Sequence, residues 1–424
     1  MIIFSILFRL YCAPRYFHVD IFTNAAWGEW IENNRPRGFY DKTTWVYSWP
    51  TQPPLINLIY AGSHYIYRYL IIYLLRFGFL LRHLGLNNAN YLGLVANFNQ
   101  PLSSEIPFSR AYLFSIKLLP ILTDIIIALL IYLLLPKKVS LPRLIYPLLY
   151  LLSPFSWYLS AFWGQYDQLS FLLVLSAFLT LKKYPLASPI FFSLSLGVKP
   201  TSAIFIPFYL YLLYLHRKLY LAYFTGIIFS VLFNLYLIQL FSPNSDILIF
   251  TRHRLLPAVI NKSEYRVTVN SYNFWYLLVG DRNVNHRSPF LFFSYFTYSL
   301  IALVIVNFLA IKFYCQKHLY SKLFISLFTV AFGTWLFGTN MLERYLFAGI
   351  VSLLFLSTHQ FRYFKIWLIA SLVFFINLYK NWWVPNLFIV LKYFYQSHTL
   401  ISTSLFPLFN LAIYFYLLKH FNDS

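Results

Sequence analysis

Apolar stretches separated by short polar segments run through almost the whole chain. A helix needs about 20 residues to cross the hydrocarbon core of a bilayer, and fewer where flanking side chains reach the interface. Because every backbone polar group in lipid must be paired internally, such stretches predict helices rather than open strands. We therefore expect an all-α, polytopic transmembrane helix bundle with about 11–13 membrane helices. The apolar stretches fall at residues 54–83, 113–135, 144–162, 169–181, 187–198, 202–215, 219–241, 290–311, 323–338, 345–358, 366–380 and 400–418.

Basic residues gather in six loops that contain no acidic residue. Cytoplasmic loops of membrane proteins carry an excess of Lys and Arg, so we assign these six loops to the cytoplasm. The segments between them then face outwards: 163–168, 199–201, 242–289, 339–344 and 381–399. The six clusters are Lys137/Lys138/Arg143, Lys182/Lys183, Arg217/Lys218, Lys312/Lys317/Lys322, Arg362/Lys365 and Lys419.

The alternation of sides does not extend to the first quarter of the chain. If the first long loop, 13–53, lies outside, a single crossing at 54–83 puts 86–112 inside, and the next helix would leave on the wrong side for Lys137. Either residues 54–85 form a bent hairpin, or 86–112 contains a partial crossing. The sequence leaves both alternatives open.

Composition excludes several classes of protein. The chain has 424 residues, of which 60% are hydrophobic and 11% charged, whereas a soluble domain carries roughly 25% charged residues. This excludes a soluble enzyme, a disordered chain and a fibrous repeat. The net charge of +21 would suggest nucleic acid in a soluble protein, but the basic residues lie in short loops, so we expect no nucleic-acid partner. Two cysteines, Cys12 and Cys315, form no disulfide framework, and an opening stretch interrupted by Arg9 predicts no cleavable signal.

Acidic residues are scarce, and Asp20 stands where the first apolar run ends. It opens a stretch, 21–34, whose apolar spacing predicts an amphipathic helix in the membrane interface. Asp20 would then be a helix cap or a first-turn carboxylate, or a general base that reaches an acceptor hydroxyl at the membrane surface. Trp27 lies within this stretch. Trp45 follows in the loop; it fits an aromatic belt, and its face also suits a sugar ring.

Charged and amide side chains recur at the outer ends of later helices. Gln165 and Asp167 fit either a capped polar turn or a binding site at the membrane edge. Lys199 is a cation against the positive-inside trend, so it either snorkels or binds an anion such as a lipid phosphate. Glu343 and Arg344 fit a structural ion pair, or else Arg344 is a second outer cation.

One further acid, Asp124, lies inside an apolar stretch. It follows Lys117 by seven residues, which places both on one face of a helix. An acid in such a place is costly unless it is paired. This favours a buried structural pairing of Asp124 over a catalytic role.

The chain resembles the GT-C superfamily of integral-membrane glycosyltransferases. The first-loop pattern is similar to that of dolichyl-phosphate-sugar-dependent transferases, and the later motifs are similar to those of bacterial mannosyltransferase-like members. The resemblance covers about residues 9–346. Its motifs are Asp20 with Trp27 and Trp30, Phe39-Tyr40, Trp45, Gln52-Pro53-Pro54-Leu55, Lys117 to Asp124, Ser153-Pro154, Trp163 to Asp167, Lys199-Pro200, Asn270 to Trp275 and Glu343 to Leu346.

The resemblance implies sugar transfer, mannose-like hexose favoured, from a polyprenyl-phosphate-linked donor to a lipid-linked glycan or another acceptor hydroxyl. It implies an inverting reaction at the extracytoplasmic face of the cell membrane, with Asp20 as catalytic base and Lys199 and Arg344 on the lipid phosphate. Other residues would position substrates: Trp27, Trp45, Gln165, Asp167 and Glu343. The first loop lacks the Asp-x-Asp pattern that metal-dependent relatives use, so we expect no metal or other cofactor.

Two features depart from the family pattern. Leu342 stands where many relatives have a histidine near the lipid phosphate, and the first apolar stretch is shorter than theirs. We divide the chain into a transmembrane catalytic module, 1–358, with external loops 13–53 and 242–289, and C-terminal transmembrane helices, 359–424. A flippase or transporter is the alternative, although such folds usually show internal repeats and polar residues at mid-membrane. A non-catalytic member of the same fold is the other.

Labelling of single cysteines tests the orientation. In a background without Cys12 and Cys315, cysteines at Asn33 and Asn244 should both react with an impermeant thiol reagent added from outside, because the basic loops place both segments on the outer side. A cysteine at Lys218 should react only after the membrane is opened. Labelling of Asn33 and Asn244 from opposite sides would separate the proposed catalytic base from the outer cations.

Overall fold

The computed structural model is mostly helical, as predicted, and describes residues 1–42, 44–84, 89–136, 139, 141–242, 246–257, 265–316, 321–358, 360–382, 384–385 and 399–423. One pair of two-residue strands, Pro289–Phe290 and Phe293–Ser294, forms an antiparallel hairpin. The α-helices are Ile2–Cys12, Val19–Asn34, Pro54–His83, Ala89–Asn99, Arg110–Leu133, Ile145–Leu152, Pro154–Trp157, Asp167–Thr180, Ala187–Val198, Ile206–Leu215, Tyr220–Phe241, Ile247–Phe250, Phe274–Val279, Tyr295–Cys315, Lys322–Phe337, Phe347–Ser357, Phe361–Tyr379 and Thr399–Asp423.

Four of the described helical segments are long and apolar enough to cross a membrane: Arg110–Leu133, Arg217–Phe241, Tyr295–Cys315 and Phe361–Tyr379. Many of their large apolar side chains point away from the protein, including Phe229 and Phe308. Apolar surface on this scale fits contact with lipid rather than water. By the length and composition of its helices the chain is a membrane protein, and the number of crossings stays a prediction.

The helices in the first quarter of the chain decide between the two alternatives for residues 54–112, a bent hairpin or a partial crossing. Pro54–His83 is one helix of 30 residues that begins at Pro54, so the bent hairpin is wrong; no proline interrupts it after Pro54. Ala89–Asn99 runs back along it, because Tyr91 Oη donates to Leu74 O (2.9 Å) and Tyr67 Oη donates to Asn99 Oδ1 (2.7 Å).

The segment after this returning helix reaches the first loop. Tyr47 Oη donates to the Glu105 carbonyl at 3.5 Å, and Phe108 packs into the same apolar cluster as Trp27. Arg110–Leu133 therefore begins at the end of the bundle that carries the 13–53 loop. Its far end then leads to Arg143, one of the predicted cytoplasmic residues. Four other residues in these predictions, Lys137, Lys138, Lys317 and Asn244, lie outside the described residues.

The apolar stretch 144–162, predicted as one helix, is broken. The helix Ile145–Leu152 stops before Ser153, whose backbone is extended (φ −62°, ψ 129°). Ser153 precedes Pro154, and the proline ring clashes with a preceding residue in the helical conformation. Pro154–Trp157 follows, and Tyr158–Trp163 forms a wider π-helical turn. Gly164 follows directly with a positive φ of +76°, so the chain turns sharply there.

Asp124 is paired inside the bundle, but its partner is Arg9 rather than Lys117. Arg9 Nε lies 3.3 Å from Asp124 Oδ2, and both side chains are fully buried. Tyr150 Oη donates to the other carboxylate oxygen at 2.6 Å. Lys117 instead donates to backbone carbonyls, among them Ala13 (3.0 Å) and others at the end of the wide turn. Sequence spacing missed Arg9 because the two residues are 115 positions apart.

The largest apolar core contains residues from before and after the proposed domain boundary at residue 358. It contains Phe347 from one side and Trp367, Phe374 and Tyr414 from the other. The C-terminal helices therefore pack into the same core as the rest of the bundle. The division at 358 stays a prediction.

The pairing of Arg9 with Asp124 predicts a stability pattern. Arg9→Met should leave a buried unpaired carboxylate and lower the free energy of unfolding by about 3–5 kcal/mol. The double variant Arg9→Met/Asp124→Leu removes both charges and should recover most of that loss. Thermal unfolding in detergent measures both, with wild type as reference. A double variant no more stable than Arg9→Met would contradict the pairing.

Candidate functional site

A cavity of about 430 Å³ lies where the six predicted outer segments meet at one end of the bundle. This volume is typical of small-molecule sites. Helix ends and loops that are far apart in sequence each supply a wall residue. The segments that the basic loops assigned to one side therefore lie together, and the side of the membrane that they face stays a prediction. The residues are Asp20 from 13–53, Gln165 from 163–168, Lys199 from 199–201, Asn270 from 242–289, Arg344 from 339–344 and Asn381 from 381–399.

Asp20 lies in the first turn of Val19–Asn34 and lines the cavity. The helix is capped by His18, whose Nδ1 accepts from the Asp20 backbone N–H at 3.1 Å, so Asp20 is not the cap. Its carboxylate Oδ2 accepts from Gln165 Nε2 (2.8 Å) and from Trp163 Nε1 (3.1 Å). Two neutral donors thus fix the orientation of the carboxylate while 36% of the side chain stays accessible.

The turn after Tyr158–Trp163 brings these donors to Asp20. Gly164 has φ +76°, and a Cβ there would lie 3.0 Å from Ile21 Cδ1 and 3.2 Å from Lys117 Cγ. The backbone therefore passes close to the first turn of Val19–Asn34, and only glycine fits this position without strain. This close approach lets both Trp163 and Gln165 donate to one carboxylate.

Arg344 is surrounded by three carboxylates. Its Nη1 lies 3.4 Å from Glu343 Oε1 and 3.7 Å from Asp20 Oδ2, and its Nε lies 3.9 Å from Asp167 Oδ2. The guanidinium also lies 5.4 Å from the centre of the Trp163 ring. The expected ion pair between Glu343 and Arg344 is present, and the cation is shared with two further acids.

Lys199 is bound to the same group of carboxylates. Its Nζ lies 2.5 Å from Asp167 Oδ2, and both side chains are buried. The two outer cations that were predicted to meet a lipid phosphate therefore lie in one site, each already paired with an acid. Phosphate binding by either cation stays a prediction.

These surroundings move two pKa values in opposite directions. Burial alone would raise the pKa of Asp20, but His18, the Arg344 charge and the Trp163 N–H hold that pKa well below its usual range. Burial raises the pKa of Glu343 to about 7, although Arg344 opposes this. Glu343 Oε2 has no hydrogen-bond partner within the described residues. Paired acids with separated pKa values are frequent at functional sites.

The two tryptophans expected to position substrates are placed differently. Trp27 lines the cavity, and its Nε1 donates to the Ser48 carbonyl at 3.1 Å. Trp45 is not among the lining residues; its ring packs 5.2 Å from that of Phe39, with Lys42 Nζ 4.5 Å from its centre. The structure therefore does not place Trp45 in the cavity wall, and its role in positioning substrate stays a prediction.

Several lining residues were not predicted as site residues. His18 and Trp163 contact Asp20, and Arg266, Asn270 and Asn340 form another part of the wall. The proximity of His18 to Asp20 and the polar turn at Trp163 were visible in sequence. Nothing in the residue pattern pointed to the conformations of Asn270 and Asn340. Leu342, which stands where relatives have histidine, also lines the cavity.

Neither the protein-family models nor the curated proteins contain a match to this sequence. Within the described part of the chain, no group of three or more His, Cys, Asp or Glu side chains is arranged to hold a metal ion.

The raised pKa of Glu343 predicts a pH-dependent stability. The folded protein keeps a proton on Glu343 that the unfolded chain releases above about pH 4.5, so this contribution declines as the pH rises from about 4.5 to about 7. Glu343→Gln should match wild type near pH 4.5 and be more stable at pH 8, by about 3 kcal/mol at most. Thermal unfolding across this range measures the difference. A constant difference between the two proteins would contradict the shift.

Proposed function

We propose that this protein is an inverting membrane glycosyltransferase of the GT-C type that uses a polyprenyl-phosphate-linked sugar donor. The observation that carries the proposal is the convergence of a held carboxylate, Asp20, with two cations, Lys199 and Arg344, around one cavity. A base and a phosphate-binding pair are the two functions that sugar transfer from a phosphate requires. The extracytoplasmic side and a count of 11–13 crossings belong to this proposal.

An apolar groove of about 320 Å³ supports a lipid-linked donor. It is lined by Pro53, Gly197 and Pro200, each the chain neighbour of a residue that lines the charged cavity. Leu196, Leu237 and other apolar side chains complete it. A polyprenyl tail in this groove would bring its phosphate near Lys199, because Lys199 lines the cavity and the next residue, Pro200, lines the groove.

The reaction we propose is a single displacement. Asp20 accepts the proton of the acceptor hydroxyl while the hydroxyl oxygen attacks the anomeric carbon. The bond from that carbon to the phosphate oxygen breaks, and its electron pair stays on the phosphate. Lys199 and Arg344 stabilise the charge that develops there. Attack from the face opposite the leaving group inverts the anomeric configuration.

In this arrangement of charges, binding of the donor would activate the base, Asp20. With Arg344 beside it, Asp20 has a low pKa and is a weak base. A donor phosphate would compete with Asp20 for the guanidinium, and withdrawal of that positive charge would raise the pKa of Asp20. Base strength would therefore increase only when donor is bound. Trp27, Gln165, Asp167 and Glu343 surround this region and would position the sugar, which we take to be a mannose-like hexose.

The central test is transfer in membranes or nanodiscs from defined polyprenyl-phosphate sugars. Asp20→Asn keeps the size of the side chain and should reduce kcat by about 10²–10⁴-fold, the usual contribution of a general base. Protein amount and thermal unfolding should stay near wild type. Near-normal turnover by a fully inserted Asp20→Asn variant would remove Asp20 from the reaction.

Lys199 can be tested separately from its structural pairing. Lys199→Ala should lower kcat and raise KM, because the charge it meets grows in the transition state. The double variant Lys199→Ala/Asp167→Asn also removes the buried carboxylate that has lost its nearest cation, so its stability should recover while kcat stays low. Recovery of kcat in the double variant would mean that Lys199 only neutralises Asp167.

Arg344→Ala should likewise weaken productive use of the donor, and unchanged donor use would exclude Arg344 from phosphate binding.

A further inference from the structure

A second set of polar side chains lines the cavity on two segments that pair with each other, 265–271 and 338–342. Arg266, Asn270 and Asn340 come from these segments, and Asn381 adds a further amide to the lining. Apart from Arg266, these side chains are uncharged, unlike the group around Asp20 and Arg344. The cavity therefore has a charged region and an amide-rich region.

Backbone pairing holds the two segments together and uses their main-chain groups. The Val269 N–H donates to the Met341 carbonyl at 3.1 Å, and Ser271 Oγ donates to the same carbonyl at 2.6 Å. From the C-terminal helices, Asn377 Nδ2 donates to the Asn270 carbonyl at 2.7 Å. The side-chain amides are thus the groups that this wall offers to a ligand.

Asn270 and Asn340 share an uncommon backbone conformation. Each has φ +58°, and they are two of the four non-glycine residues with positive φ in the described part of the chain. Neither side-chain amide has a hydrogen-bond partner among the described residues, and both line the cavity. Asn adopts this left-handed conformation more readily than other non-glycine residues, and residues held in it cluster at ligand sites.

We propose that this amide wall, Asn270 and Asn340 with Asn381, is a subsite for a neutral carbohydrate, and that the acceptor is therefore a glycan. An amide offers two donors and an acceptor with two lone pairs, which matches the mixed donor and acceptor character of sugar hydroxyls. A phosphate would instead need cations. Of the three described Lys and Arg side chains that line the cavity, Lys199 and Arg344 lie in the charged region and Arg266 alone lies on these segments. The cavity, about 430 Å³ in volume, exceeds what one sugar ring at the phosphate requires. The role as acceptor subsite rests on the proposed function.

Glycine substitutions test the wall without straining the backbone. Asn270→Gly and Asn340→Gly remove the amides and keep the freedom to adopt positive φ. Leu291→Gly is the matched control, because Leu291 also has positive φ (54°) but is 79% exposed and does not line the cavity. Binding of neutral trisaccharides of mannose, glucose, galactose and N-acetylglucosamine to protein in nanodiscs is followed by saturation-transfer NMR.

We expect at least one trisaccharide to bind wild type and Leu291→Gly, and its affinity to fall about tenfold or more in the two asparagine variants, as for the loss of one or two good hydrogen bonds. Equal affinity in all four proteins, or no binding of any trisaccharide to wild type, would overturn the subsite. This readout needs no turnover. If the trisaccharides bind as expected but no donor is used, the transferase proposal fails and the carbohydrate site stands. If a donor is used but no trisaccharide binds, the carbohydrate site fails and the transferase proposal stands.

Discussion

A single guanidinium, that of Arg344, holds the charges of this cavity together. It lies within 4 Å of carboxylate oxygens from Asp20, Asp167 and Glu343, which come from three distant parts of the sequence. Charges brought this close in a partly buried site repel one another unless a shared cation compensates them. Together with His18, this charge holds the pKa of Asp20 low, and Lys199 adds a second cation to the group through its contact with Asp167. The same cation is the group that a phosphate would approach.

Buried charged side chains inside the bundle link the helices that carry this site. Arg9 and Asp124 neutralise each other without contact with water, and they connect the first helix to Arg110–Leu133. Lys117, on the same helix as Asp124, donates to the Ala13 carbonyl and to those of Ala161 and Phe162. It therefore links the end of the first helix to the turn that presents Trp163 and Gln165. The framework fixes the donors to Asp20, whereas Arg344 is held mainly by charge.

The parts of the site that could be predicted from sequence are the residues of types that are rare in this chain. Acids and outer cations are rare in so apolar a chain, so Asp20, Lys199 and Arg344 could be singled out, and the basic loops could assign them to one end. Contacts between distant residues carry no such signal, which is why Arg9 was missed as the partner of Asp124. For Trp45, which packs outside the cavity wall, the sequence could not decide between two interpretations, because an aromatic ring suits a sugar and an apolar cluster equally well. The positive φ of Asn270 and Asn340 depends on pairing between two loops and could not be read from either loop alone.

The most direct test is whether Asp20 and a lipid phosphate compete for Arg344. Binding of undecaprenyl phosphate, a polyprenyl phosphate without sugar, would be measured in nanodiscs for wild type, Asp20→Asn and Arg344→Gln, with Glu105→Gln as a control that removes a carboxylate outside the cavity. If the cation is shared, Asp20→Asn should bind about tenfold more tightly than wild type, an effect of the size expected for one charge pair near 4 Å. Arg344→Gln should bind more weakly, and Glu105→Gln should match wild type. An Asp20→Asn variant that binds the lipid no better than wild type would contradict the account.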